Sequence, residues 1–427
     1  MIATKQIFVE SKVTAIIPVL YFTAEQANST ISMSNNGSAP TVYLETSSTG
    51  EDGSWSDFTV GTTKITLANV GDKVYFRAKQ DNERFASSSS NYNKFVMTGK
   101  ISASGNINAL LKADDSVIDL TGRDFCYAHM FQDCTSLTQA PELPATTVGS
   151  NCYESIFYGC TSITQAPELP ATKLGNYSYF GMFGNCTSLT QAPELPATTV
   201  GSNCYQRMFF GCKSLTQAPS ILPATTVGSN CCQYMFQDCT SLTQAPELPA
   251  TTVGSYCYDS MFSGCKSLTQ APSILPATTL NTRCYQYMFK DCTSLTKAPE
   301  LPATKSANYC YSYMFSGCKS LTQAPELPAT YLQPRCYQYM FQDCTSLTQA
   351  PELPATYLGN YCYERMFNGC TQLNEIRTAQ PSFNNCNEWV TNVSQTGTFY
   401  CQSILGTNDT ISRGNSACPD GWTVVNI

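Results

Sequence analysis

The chain has 427 residues and a formal net charge of −7, with 42% apolar and only 13% charged residues, so it can bury a large core and is not a disordered polyelectrolyte. No basic stripe offsets the negative balance, which removes the usual electrostatic footprint of nucleic-acid binding. One histidine, His129, serves the whole chain, which nearly eliminates imidazole catalysis and histidine metal sites.

Met1–Glu10 lacks a basic region leading into an apolar run. Val13–Ala24 is apolar but contains Pro18 and is too short to cross a bilayer as a helix. The expectation is therefore no recognisable signal peptide and no membrane span. Residues 1–115 hold no cysteine and read as all-β, with β-branched and aromatic runs at Lys5–Val9, Val13–Phe22, Thr41–Glu45, Lys64–Leu67, Lys73–Arg77 and Lys94–Met97. Turn signals such as Asn36-Gly37 and Gly71-Asp72 separate them. This spacing predicts a small β-sandwich for attachment, or else an irregular β-domain that only spaces or anchors. Residues 116–125 form the entry to a repeated segment, with Leu110, Leu111, Ile118 and Leu120 available to cover its first unit.

Residues 126–370 are ten near-identical units. Their second cysteine recurs at Cys134, Cys160, Cys186, Cys212, Cys239, Cys265, Cys292, Cys318, Cys344 and Cys370, at intervals of 26 residues with two of 27. Both longer units read Pro-Ser-Ile-Leu-Pro (Pro219–Pro223 and Pro272–Pro276) in place of Pro-Glu-Leu-Pro, so the extra residue falls in a loop. A unit this short cannot bury its own apolar side chains, whereas a stack can. Leu137, Ala140 and Leu143 approximate a Leu-x-x-Leu-x-Leu strand, and prolines 141 and 144 end it. The parallel ladder should then involve only about Ser136–Ala140, with Asn151 capping one or two helical turns up to Cys160. Neighbouring strands roughly 4.8 Å apart make the array a curved rod on the order of 50 Å long. Residues 371–427 drop the repeat and carry Trp389, Phe399 and Trp422, as a terminal cap would.

The recurring Met-Phe-x-x-Cys-x-x-Leu frame resembles the BspA-like leucine-rich repeat family of bacterial surface proteins, over Phe125 to about Leu373. The resemblance implies a leucine-rich-repeat solenoid, an adhesin-like role and no enzymatic activity. Similar repeats in proteins of phages that infect gut Bacteroidetes imply a host-binding role there. The third unit departs from the frame, with Ser178 in place of the first cysteine.

Of the 23 cysteines, ten fill the second repeat position and nine the first, leaving Cys232, Cys386, Cys401 and Cys418. Each repeat pair is eight residues apart, unlike zinc-knuckle spacing. The odd total and Ser178 favour buried reduced thiols over disulfides. The row Glu142, Glu168, Glu194, Glu247, Glu300, Glu326 and Glu352 reads as a solvated edge. Thr138 and Gln139 equivalents form polar rows in which stacked amides would bond along the array. No cofactor and no metal are expected.

Units differ most just before the first cysteine, where Thr147–Asn151 gives way to Lys305–Tyr309, Tyr331–Arg335 and Tyr357–Tyr361. Tyrosine and arginine dominate binding hot spots, so Arg283, Tyr309, Tyr331, Arg335, Tyr357 and Tyr361 are the candidate contact residues; drift at exposed positions is the plain alternative. The leading expectation is a host-recognition protein of a phage virion, tail- or fibre-associated, that binds a bacterial surface protein or polysaccharide. In that reading the N-terminal domain joins a virion or surface attachment partner, and homo-oligomerisation is left open. The alternatives are a bacterial cell-surface adhesin and a structural spacer.

Overall fold

The computed structural model describes residues 19–113 and 119–427. The expected strand Lys5–Val9, most of Val13–Phe22, and Ile118 lie outside those residues. Among the described residues nine strands come first: β1 (Leu20–Ala24), β2 (Ser29–Asn36), β3 (Leu44–Ser47), β4 (Ser56–Phe58), β5 (Lys64–Leu67), β6 (Lys73–Ala78), β7 (Ala86–Ser88), β8 (Asn91–Thr98) and β9 (Ile101–Ser104). Every second residue is buried in β1, in β6 and in β2 as far as Met33, which gives each sheet one apolar face. The antiparallel sheets β9-β1-β6-β3-β4 and β5-β2-β8-β7 face one another, Phe22 of the first meeting Phe95 of the second at 5.1 Å.

This sandwich is welded to the repeats. After β10 (Asp119–Leu120), strand β11 (Leu137–Gln139) of the first unit extends the first sheet by pairing parallel with β9. The amides of Phe85 and Phe95 donate to the carbonyls of Cys126 and Met130, and Phe95 stacks on Phe131 at 5.1 Å. The apolar core is continuous from one part to the other. The sandwich thereby covers the end of the first unit that would otherwise meet water.

Each unit is one coil with two sides. The proline side is almost reduced to single bridges: Gln165, Gln191 and Gln217 pair in turn, as do Gln244, Gln270, Lys297 and Gln323. Flanking prolines lack the amide needed to extend them. Among the described residues, side-chain hydrogen bonds along this side are donated by threonine hydroxyls, Thr190 to Thr164, Thr216 to Thr190 and Thr269 to Thr243, and not by the side-chain amides of the row glutamines. A second row of two-residue parallel strands, unforeseen in the sequence, begins the variable segment: Thr147–Val148 pairs with Lys173–Leu174, which pairs with Thr199–Val200.

The opposite side corrects the expected helical turns. Asn151–Cys160 is a run of tandem β-turns, and among the described residues the only helices are two short 3-10 turns. In the first unit the amides of Tyr127, His129, Phe131 and Asp133 donate to the next unit at Cys152, Glu154, Ile156 and Tyr158. Those of Ala128, Met130, Gln132 and Cys134 donate back three residues. Every second amide thus stitches units together while its neighbour closes a turn. The ribbon places a left-handed residue every fourth position, as at Phe125, His129 and Asp133, which no α-helix accommodates. Asn151 itself has φ of 55° and is one of these residues, not a helix cap.

Inside, side chains stack in register. Phenylalanines from Phe131 to Phe367 form an unbroken file with centroids 5.3 to 5.7 Å apart. A parallel tyrosine file is interrupted where Cys232 replaces the ring between Tyr205 and Tyr258. The ten second-position cysteines are buried, and each thiol donates to a phenylalanine carbonyl, Cys134 to Phe95 of the sandwich and the others to the preceding rung, as Cys160 to Phe131 and Cys265 to Phe236, both at 3.0 Å. Residues 371–427 abandon the repeat in sequence but keep its path: Glu375–Thr378, Thr398–Cys401 and Thr423–Asn426 are successive parallel strands. Trp389 closes the phenylalanine and tyrosine files.

Candidate functional site

The left-handed positions of the turn ribbon form three rows along the solenoid. The third carries Asp133, Gly159, Asn185, Gly211, Asp238, Gly264, Asp291, Gly317, Asp343 and Gly369, an alternation of short acid or amide with glycine. Its cause is steric: a Cβ at Gly264 would fall 2.4 Å from Oδ1 of Asp238 in the preceding unit.

The first left-handed row lies just before the first cysteine and holds most of the sequence candidates. It reads Asn203, Asn230, Tyr256, Arg283, Tyr309, Arg335, Tyr361 over the fourth to tenth units. The guanidinium of Arg283 sits 5.3 Å from the Tyr256 ring centroid and 4.7 Å from that of Tyr309. That of Arg335 sits 5.3 Å from Tyr309 and 5.0 Å from Tyr361. The row is one alternating cation–π stack, with each arginine clamped between two tyrosines. Arg335 donates to the Tyr309 hydroxyl; among the described residues Arg283 has no hydrogen bond or ion pair through its guanidinium.

Tyr331 and Tyr357 belong to another row, in the short strands four residues upstream. They stack on each other at 4.1 Å with planes 3° apart. They are 50% and 52% exposed, and Tyr361 42%. The structure thus gathers four of the six candidates into one stack and the other two into a stacked pair beside it.

Sequence inspection missed Tyr256 and the whole second left-handed row, four residues further on: Arg207, Tyr234, Ser260, Tyr287, Tyr313, Tyr339 and Arg365. Tyr287 stacks on Tyr313 at 4.8 Å and Tyr313 on Tyr339 at 4.3 Å, while Arg207 lies over Tyr234 and Arg365 over Tyr339. The constant four-residue offset from the first row was the available sign. Between the rows runs a more buried polar line: Asn203 donates to Gln206, Gln206 to Gln233, and Gln233 to Asp259, which also accepts from Ser260. Burial raises the Asp259 carboxyl above its usual range.

The other candidate chemistry resolves into structure. Glu194 accepts from the amide and hydroxyl of Ser220, and Glu247 from those of Ser273, so the serine of each longer loop caps the glutamate of the unit before it. Between consecutive Pro-Glu-Leu-Pro loops lie shallow open grooves, one of about 600 Å³ lined by Gln165–Pro170 and Thr190–Pro196. Among the described residues no three histidine, cysteine or acidic side chains are grouped to hold a metal. No helix there is long and apolar enough to cross a membrane. His129 is buried under Tyr92, 4.6 Å away, with Nε2 3.8 Å from Glu154. Desolvation lowers the His129 pKa and raises that of Glu154, so burial opposes the charged form of each partner in this contact.

Solved structures similar to the chain include two leucine-rich repeat proteins. A leucine-rich repeat protein from Bacteroides ovatus ATCC 8483 shares 16% identity over 67% of this chain and 83% of its own, with a TM-score of 0.24. A leucine rich cell surface protein from Faecalibacterium prausnitzii A2-165 shares 16% identity over 79% and 95%, with a TM-score of 0.25. The comparison with curated proteins gives no match. The model of the BspA type leucine rich repeat region matches residues 126–243, 152–286, 206–348 and 257–395, together well over half of the chain. With the 26-residue coil and its Met-Phe-x-x-Cys frame in place, the chain belongs to the BspA-type leucine-rich repeat family.

Proposed function

We propose that this chain is a non-enzymatic cell-surface recognition protein whose contact surface is the tyrosine–arginine flank of the sixth to tenth units. The observation that carries the reading is the Tyr256–Arg283–Tyr309–Arg335–Tyr361 stack, flanked by the Tyr331–Tyr357 pair. Rigid rings lose little entropy on binding, and arginine and tyrosine carry most hot-spot energy. In the first row the first five units keep the same left-handed backbone with Phe125, Asn151, Tyr177, Asn203 and Asn230, so the arginine–tyrosine alternation is not a requirement of the fold. Family membership supports a cell-surface adhesin in preference to a virion component. The N-terminal sandwich, fused to the first unit, is assigned the attachment role.

Tyr331→Thr, Arg335→Asn and Tyr357→Thr install residues that earlier units use at the same positions. Labelled wild-type and triple-variant protein would be applied to intact gut bacteria, with and without removal of surface polysaccharide. At least tenfold weaker binding by the folded variant is expected; equal binding overturns the assignment.

A further inference from the structure

We propose that the flank binds a linear uronate polysaccharide of two-fold, ribbon-like conformation laid along the solenoid axis, its carboxylates meeting Arg283 and Arg335. This rests on the flank being the contact surface.

The first ground is which parts of the flank are available. In the first row each guanidinium covers tyrosine faces, and in the second row the rings of Tyr287, Tyr313 and Tyr339 cover one another. Neutral sugars are usually gripped by laying their C–H face on an open aromatic face, and inside these stacks the faces are occupied. Away from the ends of the stacks, what remains are ring edges, hydroxyls and guanidinium edges. Such a surface selects acceptor-rich ligands by hydrogen bonding and charge.

The arginines then define the acceptor. A guanidinium set between two rings keeps N–H groups for a planar bidentate partner, the geometry of a carboxylate. The flank's own acids are already engaged: Asp259 by Gln233 and Ser260, Glu364 by Gln338, and Glu388 by Arg365. Among the described residues Arg283 makes no hydrogen bond or ion pair through its guanidinium, although Asp259 feels its charge, and the Arg335 guanidinium bonds only the Tyr309 hydroxyl.

Spacing separates polymers. Arginine recurs every second unit, a repeat of roughly 10 Å if units stack at the usual strand separation. In a two-fold 1,4-linked uronate ribbon, carboxylates on one edge recur every second ring, about the same length. Side chains on one face of an extended acidic peptide recur at about 7 Å and fall out of register after one step.

The test uses the full chain and the Arg283→Asn/Arg335→Asn variant. Asparagine occupies the same left-handed position at Asn151, Asn203 and Asn230, so the fold is expected to persist, as circular dichroism would verify. Calorimetric titrations would compare polymannuronate oligosaccharides, neutral mannan oligosaccharides of equal length, and polyglutamate. The proposal expects polymannuronate to bind most tightly, at least about tenfold more weakly in the folded double variant, and less tightly as salt rises. Equal or tighter binding of mannan or polyglutamate overturns it, as does no polymannuronate binding or indifference to the arginines. If flank substitutions abolish binding to cells while polymannuronate is ignored, the uronate assignment falls and the contact surface stands. If binding to cells is indifferent to the flank, both fall.

Discussion

Substituting Gly264 by alanine tests why glycine and aspartate alternate along the third left-handed row. Gly264 has φ of +77°, and an alanine methyl there would lie 2.4 Å from Asp238 Oδ1. Holding a non-glycine residue in this region costs about 1–2 kcal/mol. Forcing the Asp238 side chain off its rotamer adds about 0.5–1.5 kcal/mol, for a loss of roughly 2–3 kcal/mol. Gly61→Ala supplies the backbone part alone, since Gly61 has φ of +83° and nothing within 4 Å of the added methyl. Placing Gly264→Ala on an Asp238→Gly background removes the clash, so the double-mutant cycle should show a coupling of about 0.5–1.5 kcal/mol, beyond the few tenths expected of independent sites. Guanidinium unfolding followed by circular dichroism gives the overall values. Solenoids can open locally, so hydrogen exchange at the Phe236 and Phe262 amides, which bond to Met261 and Met288 of the following units, gives the local ones. A coupling within error of zero would refute the steric explanation.

Phe262→Ala removes a fully buried ring stacked at 5.6 and 5.5 Å on Phe236 and Phe289. It should cost about 3–5 kcal/mol, measured by the same unfolding assay; a loss no larger than that of the exposed Thr269→Ala contradicts the file as a structural spine. Burial pushes the thiols of Cys134, Cys212 and Cys310 up to about 12, so native protein at pH 8 should barely react with a thiol reagent while denatured protein yields all 23 thiols. Rapid native reaction, or fewer thiols after denaturation without reductant, argues against the reduced ladder. His129 has a pKa lowered in the fold from 6.5, so its contribution is complete above pH 6.5 and declines as pH falls through that value. Glu154, raised by burial, acts oppositely as pH climbs above 4.5. Thermal melts should therefore show a downward slope in stability below pH 6.5 that His129→Gln abolishes; an unchanged slope assigns it elsewhere.

Much of this architecture is legible in the sequence because a repeated frame repeats its physics. The cysteine interval, the apolar spacing and the loop position of the two insertions all follow from a coil that must stack. The turn ribbon was not legible. Asn151 before an apolar run reads as a helix cap under local rules, yet its φ is 55° and the neighbouring unit, not its own, accepts half the amides. That choice depends on inter-unit bonding, which local propensity does not contain. The end coils are hidden for a related reason: Cys386 and Trp389 continue the cysteine and aromatic files at a shorter interval, so matching by period loses them while packing retains them. Of the candidate surface, the chemistry was visible but the grouping was not, because stacking couples residues 26 or 27 apart rather than neighbours in one segment.

The grouping also carries a period that single units conceal. Units whose third row holds aspartate, at Asp291 and Asp343, carry Arg283 and Arg335 in the first row; their glycine neighbours, at Gly264, Gly317 and Gly369, carry Tyr256, Tyr309 and Tyr361. The steric clash that penalises a side chain after aspartate favours a two-unit period, because placing one aspartate unit directly after another would set aspartate on aspartate. Arginine and tyrosine alternate in step with these pairs, which sets the cation–π stack at a two-unit period. The same logic locates the weak point of the array: Cys232 interrupts the tyrosine file in the fifth unit, between Tyr205 and Tyr258. Cys232→Tyr should restore two ring contacts worth about 0.5–1.5 kcal/mol each. Its failure to raise the unfolding midpoint would mean that the neighbouring rungs have already closed the gap.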